Sequence, residues 1–232
     1  MTESQRLCLI CPTRERPGLF SVMVESVVRT SSEVDIIAVV DADDPEMVAY
    51  REVAKKYRLV RFETSALRVH FMKHYNIIFQ RHPNYRFYSC TNDDFVYRTP
   101  GWDRRLMREI ETKFSGWGWA YGNDLDCGER LPTTSVVSGD ICRVLGWVQM
   151  PWLKRCFGDN ATLALGRAMK RLSYVPGVVV EHRHPSIGKN KNDSTYKRGR
   201  TAFNYHRDRL AYLFWEKFVL PRDRHLIEAR LP

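Results

Sequence analysis

The sequence predicts an α/β protein with a mainly parallel central sheet flanked by helices. Three observations carry that prediction. Short apolar runs alternate with amphipathic ones through residues 7–90, the pattern of β-α-β units. The clusters Pro12–Arg16, Asp41–Asp44 and Asn92–Asp94 each follow an apolar run directly. A chain of 232 residues, 44% hydrophobic and 12% aromatic, can also bury a sizeable core.

"RLCLICP" is a first strand that breaks at Pro12-Thr13-Arg14. A helix follows from about Pro17, where the missing N–H of proline costs nothing, with Leu19, Val22, Met23 and Val27 at helical spacing. "VDIIAVVDADDPEM" is a second buried strand ending in Asp41, Asp43 and Asp44. "EMVAYREVAKKY" is an amphipathic helix, "RLVRFET" a third strand, "LRVHFMKHYNIIFQRHP" a helix and "YRFYSC" a fourth strand. That strand delivers the chain to Asn92-Asp93-Asp94, two adjacent carboxylates that need a compensating cation if buried. Ligands of such sheets gather beyond the carboxyl ends of the strands, so the three polar clusters should meet in one crevice.

The second half is less regular. "GWDRRLMREIETKF" is helical, "GWGWAYGNDL" a strand and turn, and "PTTSVVSGDICRVLGW" a short strand, a turn and a helix. "FGDNATLALGRAMKRLS" places Asp159 and Asn160 at a helix start, and "YVPGVVVEHRHP" is a strand ending in two histidines. "SIGKNKNDSTYKRGR" is a loop.

Composition narrows the classes. No apolar run is long enough to cross a bilayer and the N-terminus carries no secretion-signal pattern, so a soluble, cytoplasmic protein is expected. Cys8 and Cys11 have C-x-x-C spacing, but residues three apart on a strand point to opposite faces and no second pair completes a zinc site. Cys8 and Cys11 read as buried reduced thiols. The net charge is +10, and residues 189–230 alone carry 11 Lys and Arg against 5 Asp and Glu. A basic face of that kind suits a polyanion or an anionic membrane, or is simply a solvated helix.

"NDDFVYRTPGWD" (92–103) and "VEHRHP" (180–185) resemble motifs of the GT-A glycosyltransferases. So does the order of Pro-Thr-Arg after the first strand, Asp after the second, paired Asp after the fourth and His after the last. The nearer resemblance is to family-2-like inverting enzymes, including small phage and bacterial glycosyltransferases, and covers roughly residues 6–188. It implies a GT-A domain over 1–188, with a nucleotide-sugar half (1–99) and an acceptor half (100–188), followed by a basic helical extension over 189–232.

The resemblance assigns roles residue by residue. Pro12 and Thr13 line the nucleotide pocket, Arg14 and Arg16 meet the diphosphate with planar multidentate donors, and Asp41 accepts from the nucleobase. Asn92 and Asp93 face the ribose or sugar, Asn92 standing where the family has an acid. Asp94 binds Mn²⁺ or Mg²⁺, with His182 preferred over His184 as a second ligand. Asp159 is the catalytic base, the alternative being a helix N-cap, and Asp140 the reserve base; an amide at Asn160 cannot take a proton. Gly139 and Trp102 are expected near the acceptor, and Trp117, Trp119, Trp147 and Trp152 are divided between core and ligand contact.

The expected donor is a UDP-sugar. The expected acceptor is a 5-hydroxymethylpyrimidine in phage double-stranded DNA, flipped out of the helix, with Lys189, Lys191, Lys197, Arg198 and Arg200 gripping phosphates. A glycan or protein acceptor, a non-catalytic nucleic-acid-binding module and a nucleotidyltransferase are the competing readings.

Overall fold

The computed structural model describes residues 6–66, 69–190, 193, 197 and 201–232. Eight strands form one sheet. They are β1 (Leu7–Thr13), β2 (Val34–Asp41), β3 (Val60–Ser65), β4 (Phe87–Cys90), β5 (Phe95–Tyr97), β6 (Trp119–Asn123), β7 (Ser135–Ser138) and β8 (Leu172–His182). The helices are α1 (Pro17–Thr30), α2 (Met47–Lys56), α3 (Phe71–Arg81), α4 (Trp102–Phe114), α5 (Gly139–Leu145), α6 (Gly158–Ala168), α7 (Ala202–Phe218) and α8 (Leu220–Glu228).

The strand order is β3-β2-β1-β4-β7-β6-β8-β5. The N-terminal four strands are all parallel, as the β-α-β alternation predicts. Beyond β4 the sheet is mixed: β7 runs antiparallel to β4 and β6, β8 parallel to β6, and β5 antiparallel to β8. The irregular second half of the sequence is the part where antiparallel pairs enter the sheet.

β1 and β2 are buried along their whole length, because helices cover both faces of the sheet. Cys11 belongs to the core on one face with Phe20, Val24 and Trp102. Cys8 belongs to the core on the other face with Tyr75, Ile78 and Tyr88, so the C-x-x-C pair is split across the sheet. All six cysteines are free thiols. The C-terminal helices join that second core through Trp215 and Ile227. Asp208 of α7 also accepts the backbone N–H groups of Lys154, Arg155 and Cys156, binding the helix to the loop before α6.

This topology decides which sequence clusters meet. β1, β2, β4 and β8 all point the same way, so Thr13, Asp41, Asn92 and His182 end at one edge of the sheet. β7 runs the other way and carries Ser138 back beside Phe87 at the start of β4. Gly139 and Asp140 therefore lie at the opposite edge.

Candidate active site

The crevice has two sides. On the first, the turn after β1 threads a chain of hydrogen bonds. The Arg16 backbone N–H donates to the Tyr50 hydroxyl (2.7 Å), Tyr50 lies 2.9 Å from the Thr13 hydroxyl, and Thr13 donates to Asp93 Oδ2 (2.7 Å). Thr13 has one proton and gives it to Asp93, so Tyr50 is the donor to Thr13. Arg16 Nη1 stands 3.3 Å from Asp93 Oδ1, and its fork also holds Asp193 at 2.6 and 2.7 Å. Arg14 reaches Asp41 at 3.1 Å and Asp43 at 2.6 and 3.2 Å. These pairings raise the pKa of both arginines, for Arg14 led by the Asp43 hydrogen bond and for Arg16 in spite of its burial. Both cations are fixed, charged and turned into the crevice.

Asp93 and Asp94 are each 5% exposed. Burial and the neighbouring Asp94 push the Asp93 carboxyl up, against the pull of Arg16 and Thr13. The cation that buried adjacent carboxylates require is thus partly supplied by the protein, and it serves Asp93. Asn92 accepts from the Tyr75 hydroxyl through Oδ1 at 2.9 Å.

Asp94 is placed differently. Its Oδ1 is buried with no hydrogen-bond partner, and His182 Nε2 is in the same condition. Asp94 Oδ2 and His182 Nε2 stand 3.6 Å apart, too far for a hydrogen bond. β5–β8 pairing sets Phe95 opposite His182, the Phe95 ring stacks on the imidazole at 4.2 Å, and the Arg183 N–H donates to the Asp94 carbonyl. Burial pulls the His182 pKa down, but Asp94, Asp159 and Asp124 outweigh it and the net shift is upward. The orphaned Oδ1 and Nε2 thus belong to two side chains that approach within 3.6 Å through Asp94 Oδ2, an arrangement that fits one divalent cation. Among the described residues no third His, Cys, Asp or Glu completes a cluster, so the remaining ligands would come from substrate oxygens. His184 packs edge-on against the His182 ring at 5.1 Å.

On the second side, a pocket is lined by Tyr75, Asn92, Trp119, Thr133, Arg155, Asp159 and His182 among others. Asp159 is half-buried, and burial pushes its carboxyl up to about 7, with His182 lowering it and Asp124 raising it. It does not cap α6: the N-cap position belongs to Phe157, and no side chain caps that end. The chain enters α6 through a left-handed turn at Phe157 (φ 68°), a conformation costing about 1–2 kcal/mol in a non-glycine residue. Gly158 follows, where a Cβ would come within 2.8 Å of the side-chain ends of Gln149 and Met72. The strained turn and the tight glycine together deliver Asp159 into the pocket.

The expectations for Asp140, Gly139 and Trp102 are corrected. Asp140 is exposed, pairs with Arg143 at 2.8 Å and lies at the far edge of the sheet. Gly139 is required because a Cβ would strike the Tyr85 carbonyl at 2.2 Å, not to admit an acceptor. Trp102 is 1% exposed and packs on Tyr97 in the core. Lys189 pairs with Glu181 at 3.1 Å, and Lys197 is exposed. Lys191, Arg198 and Arg200 lie outside the described residues. Of the tryptophans, Trp119 lines the pocket, Trp152 is exposed, and Trp117 and Trp147 pack at the edge of the second core.

Residues the sequence did not reveal are Tyr50, His74, Tyr75, Asp124 and Arg155. His74 Nε2 stands 3.3 Å from Asp41 Oδ1. Asp124 ties the turn after β6 by accepting the N–H groups of Asp126, Cys127 and Gly128 and the Thr133 hydroxyl. Tyr50, His74 and Tyr75 sit on amphipathic helices, where their spacing signals only core.

No protein-family model matches the chain, and no curated protein matches it by sequence. Solved structures do match. A mannosyltransferase from Pyrobaculum calidifontis, in complex with GDP-Man and Mn²⁺, superposes with TM-score 0.59 at 14% identity, over 97% of this chain and 73% of that one. Residues 1–349 of S. aureus TarS, in complex with UDP-GlcNAc, superpose with TM-score 0.67 at 9% identity, over 96% and 70%. This chain spans 36% of the longer TarS chain. At such identities the likeness concerns the fold, which is that of the GT-A glycosyltransferases.

Proposed function

We propose that this protein is an inverting glycosyltransferase that moves a sugar from a nucleoside diphosphate sugar to an acceptor hydroxyl. The observation that carries the reading is the pairing of two orphaned ligand atoms, Asp94 Oδ1 and His182 Nε2, with a carboxyl at Asp159 raised to about 7 in the adjoining pocket. The fold it shares with transferases bound to GDP-Man and UDP-GlcNAc supports the donor class.

In this reading Arg14 and Arg16 orient the diphosphate, already charged and held by Asp41, Asp43, Asp93 and Asp193. Asp93 and Asn92, fixed by Thr13 and Tyr75, face the ribose or sugar. Asp94 and His182 hold Mn²⁺ or Mg²⁺, which when bound neutralises charge on the departing diphosphate. Asp159 takes the proton from the acceptor hydroxyl as its oxygen attacks the anomeric carbon from the face opposite the leaving group. Its raised pKa keeps it basic enough for that transfer near neutrality.

The acceptor we propose is a 5-hydroxymethylpyrimidine of duplex DNA, supported by the net charge of +10 and the basic stretch 189–200. A glycan acceptor is the second reading. Trp119 and Phe71 with Thr133, Thr134 and Thr162 give the pocket the aromatic and hydroxyl lining that suits a sugar. The test offers pooled nucleotide-sugars and Mn²⁺ with hydroxymethylated duplex or with polysaccharide, then weighs the products by mass spectrometry. A sugar increment on the nucleoside supports the DNA acceptor, and one on the polysaccharide alone replaces it.

A further inference from the structure

Helix α7 is apolar on both sides. Its inner side packs on the second core through Ala211, Tyr212 and the buried Trp215. Its outer side carries Phe203 (75% exposed), Leu210 (69%), Phe214 (54%) and Phe218 (60%). The spacing of seven, four and four residues aligns these four along one stripe. Leu213 flanks the stripe, and Trp152, itself half in solvent, packs on Phe214 with ring centroids 5.9 Å apart. Scattered exposed apolar residues are ordinary, but a contiguous aromatic stripe marks a surface that something covers.

The charges around the stripe say what. Asp208 and Asp223 are turned inward, onto backbone N–H groups and the Trp215 indole. The outward groups of α7 and α8 are Arg209, Lys217, Arg222 and Arg224 against Glu216 and Glu228. Arg224 pairs with Glu228 and Arg222 acts on Asp223, while Arg209 and Lys217 have no ion pair with a carboxylate among the described residues. A second copy docked through this face would bring the same cations together. DNA phosphates have no use for the phenylalanines. An anionic lipid surface satisfies both sets: rings enter the headgroup–acyl boundary while Lys and Arg reach the headgroups.

We propose that the outer face of α7 seats this protein on an anionic membrane surface, with Phe203, Leu210, Phe214 and Phe218 inserted and Arg209 and Lys217 at the headgroups. The helix would lie in the interface, since no helix among the described residues is long and apolar enough to cross a membrane. Asp208 ties α7 to residues 154–156, and Arg155 of that loop lines the pocket that holds Asp159. Docking therefore brings the acceptor pocket to within one loop of the lipid. The inference does not rest on the proposed transfer reaction or its acceptor, and the two fail separately.

The full chain is sedimented with vesicles of phosphatidylcholine alone or with phosphatidylserine added. The expected result is binding to the anionic vesicles and little to the neutral ones. Leu210→Asp with Phe214→Asp should weaken binding by at least about tenfold, since both side chains lose their apolar burial in the headgroup–acyl boundary. Arg209→Glu with Lys217→Glu should weaken it as far, without altering the Tm. All four substituted positions are exposed, so loss of folding is not the expected cause, and Tm measurement on each variant checks it. Equal binding by all variants overturns the proposal, as does failure of the wild type to bind. A dimer that Leu210→Asp dissociates would also overturn it and assign the stripe to a second copy.

Discussion

The two sides of the crevice are built on different principles. Around Thr13, Arg14, Arg16, Asp41 and Asp93 nearly every charge already meets an opposite charge or a hydroxyl. On the other side Asp94 Oδ1 and His182 Nε2 are buried without a hydrogen-bond partner, and the half-buried Asp159 has its carboxyl raised to about 7. Satisfied networks fix geometry before a ligand arrives, whereas orphaned groups hold unfavourable energy that only a ligand relieves. On the proposed reading the first side orients and the second reacts.

The largest effect should come from the unmatched side. Asp94→Ala removes a cation ligand and should lower kcat/KM by at least about a thousandfold, a loss within the several kcal/mol a metal supplies at a developing charge. Mn²⁺-dependent binding of a nucleoside diphosphate, measured by calorimetry, should disappear in the same variant. Retention of either would mean the cation lies elsewhere.

Asp159→Asn should cost about 10²–10⁴ in kcat while leaving donor binding intact. The same change should raise the Tm. The native carboxyl titrates at about 7 against 3.8 for an ordinary aspartate, so ionising it costs folding stability as pH rises from about 4 to 7. Asparagine escapes that cost, so its Tm advantage should be full above pH 7 and vanish near pH 4. Each kcal/mol relieved is worth roughly 2–4 °C in a chain of this size. A variant less stable than wild type at pH 8 would contradict the account of Asp159. For the wild type, kcat/KM should fall tenfold per pH unit below an apparent pKa no higher than about 7.

Changes on the matched side should act on binding and stability more than on turnover. Arg16→Ala strips a buried carboxylate of its cation and should destabilise the fold by about 3–5 kcal/mol, read by chemical denaturation. Tyr50→Phe keeps the ring but removes the hydroxyl that links Arg16 to Thr13, for a loss of about 1–2 kcal/mol and a raised donor KM. If Tyr50→Phe changed kcat and left KM alone, the division of labour between the two sides would be wrong.

The same contrast explains what the sequence made legible. Local order along the chain gave the parallel half of the sheet, because each β-α-β unit writes its own periodicity. The clusters at Thr13, Asp41 and Asn92 were visible because polar residues end apolar runs there. Asp140 and Gly139 looked equivalent to those clusters, yet β7 runs antiparallel and carries them to the other edge. Strand direction is a property of pairing across the sheet, and no local pattern records it. Trp102 was misjudged for a related reason: its indole is swallowed by Tyr97 and a core assembled from distant segments. Tyr50 and Tyr75 escaped notice because a buried tyrosine on a helix carries the same signal whether its hydroxyl is idle or structural.

One measurement bears on the central claim most directly: release of nucleoside diphosphate from pooled nucleotide-sugars in the presence of Mn²⁺. The account predicts release by the wild type, stimulated by acceptor and lowered by at least about a hundredfold in both Asp94→Ala and Asp159→Asn, with Asp159→Asn still binding the nucleoside diphosphate. No release from any nucleotide-sugar, together with nucleotide binding that Asp94→Ala leaves unchanged, would contradict it.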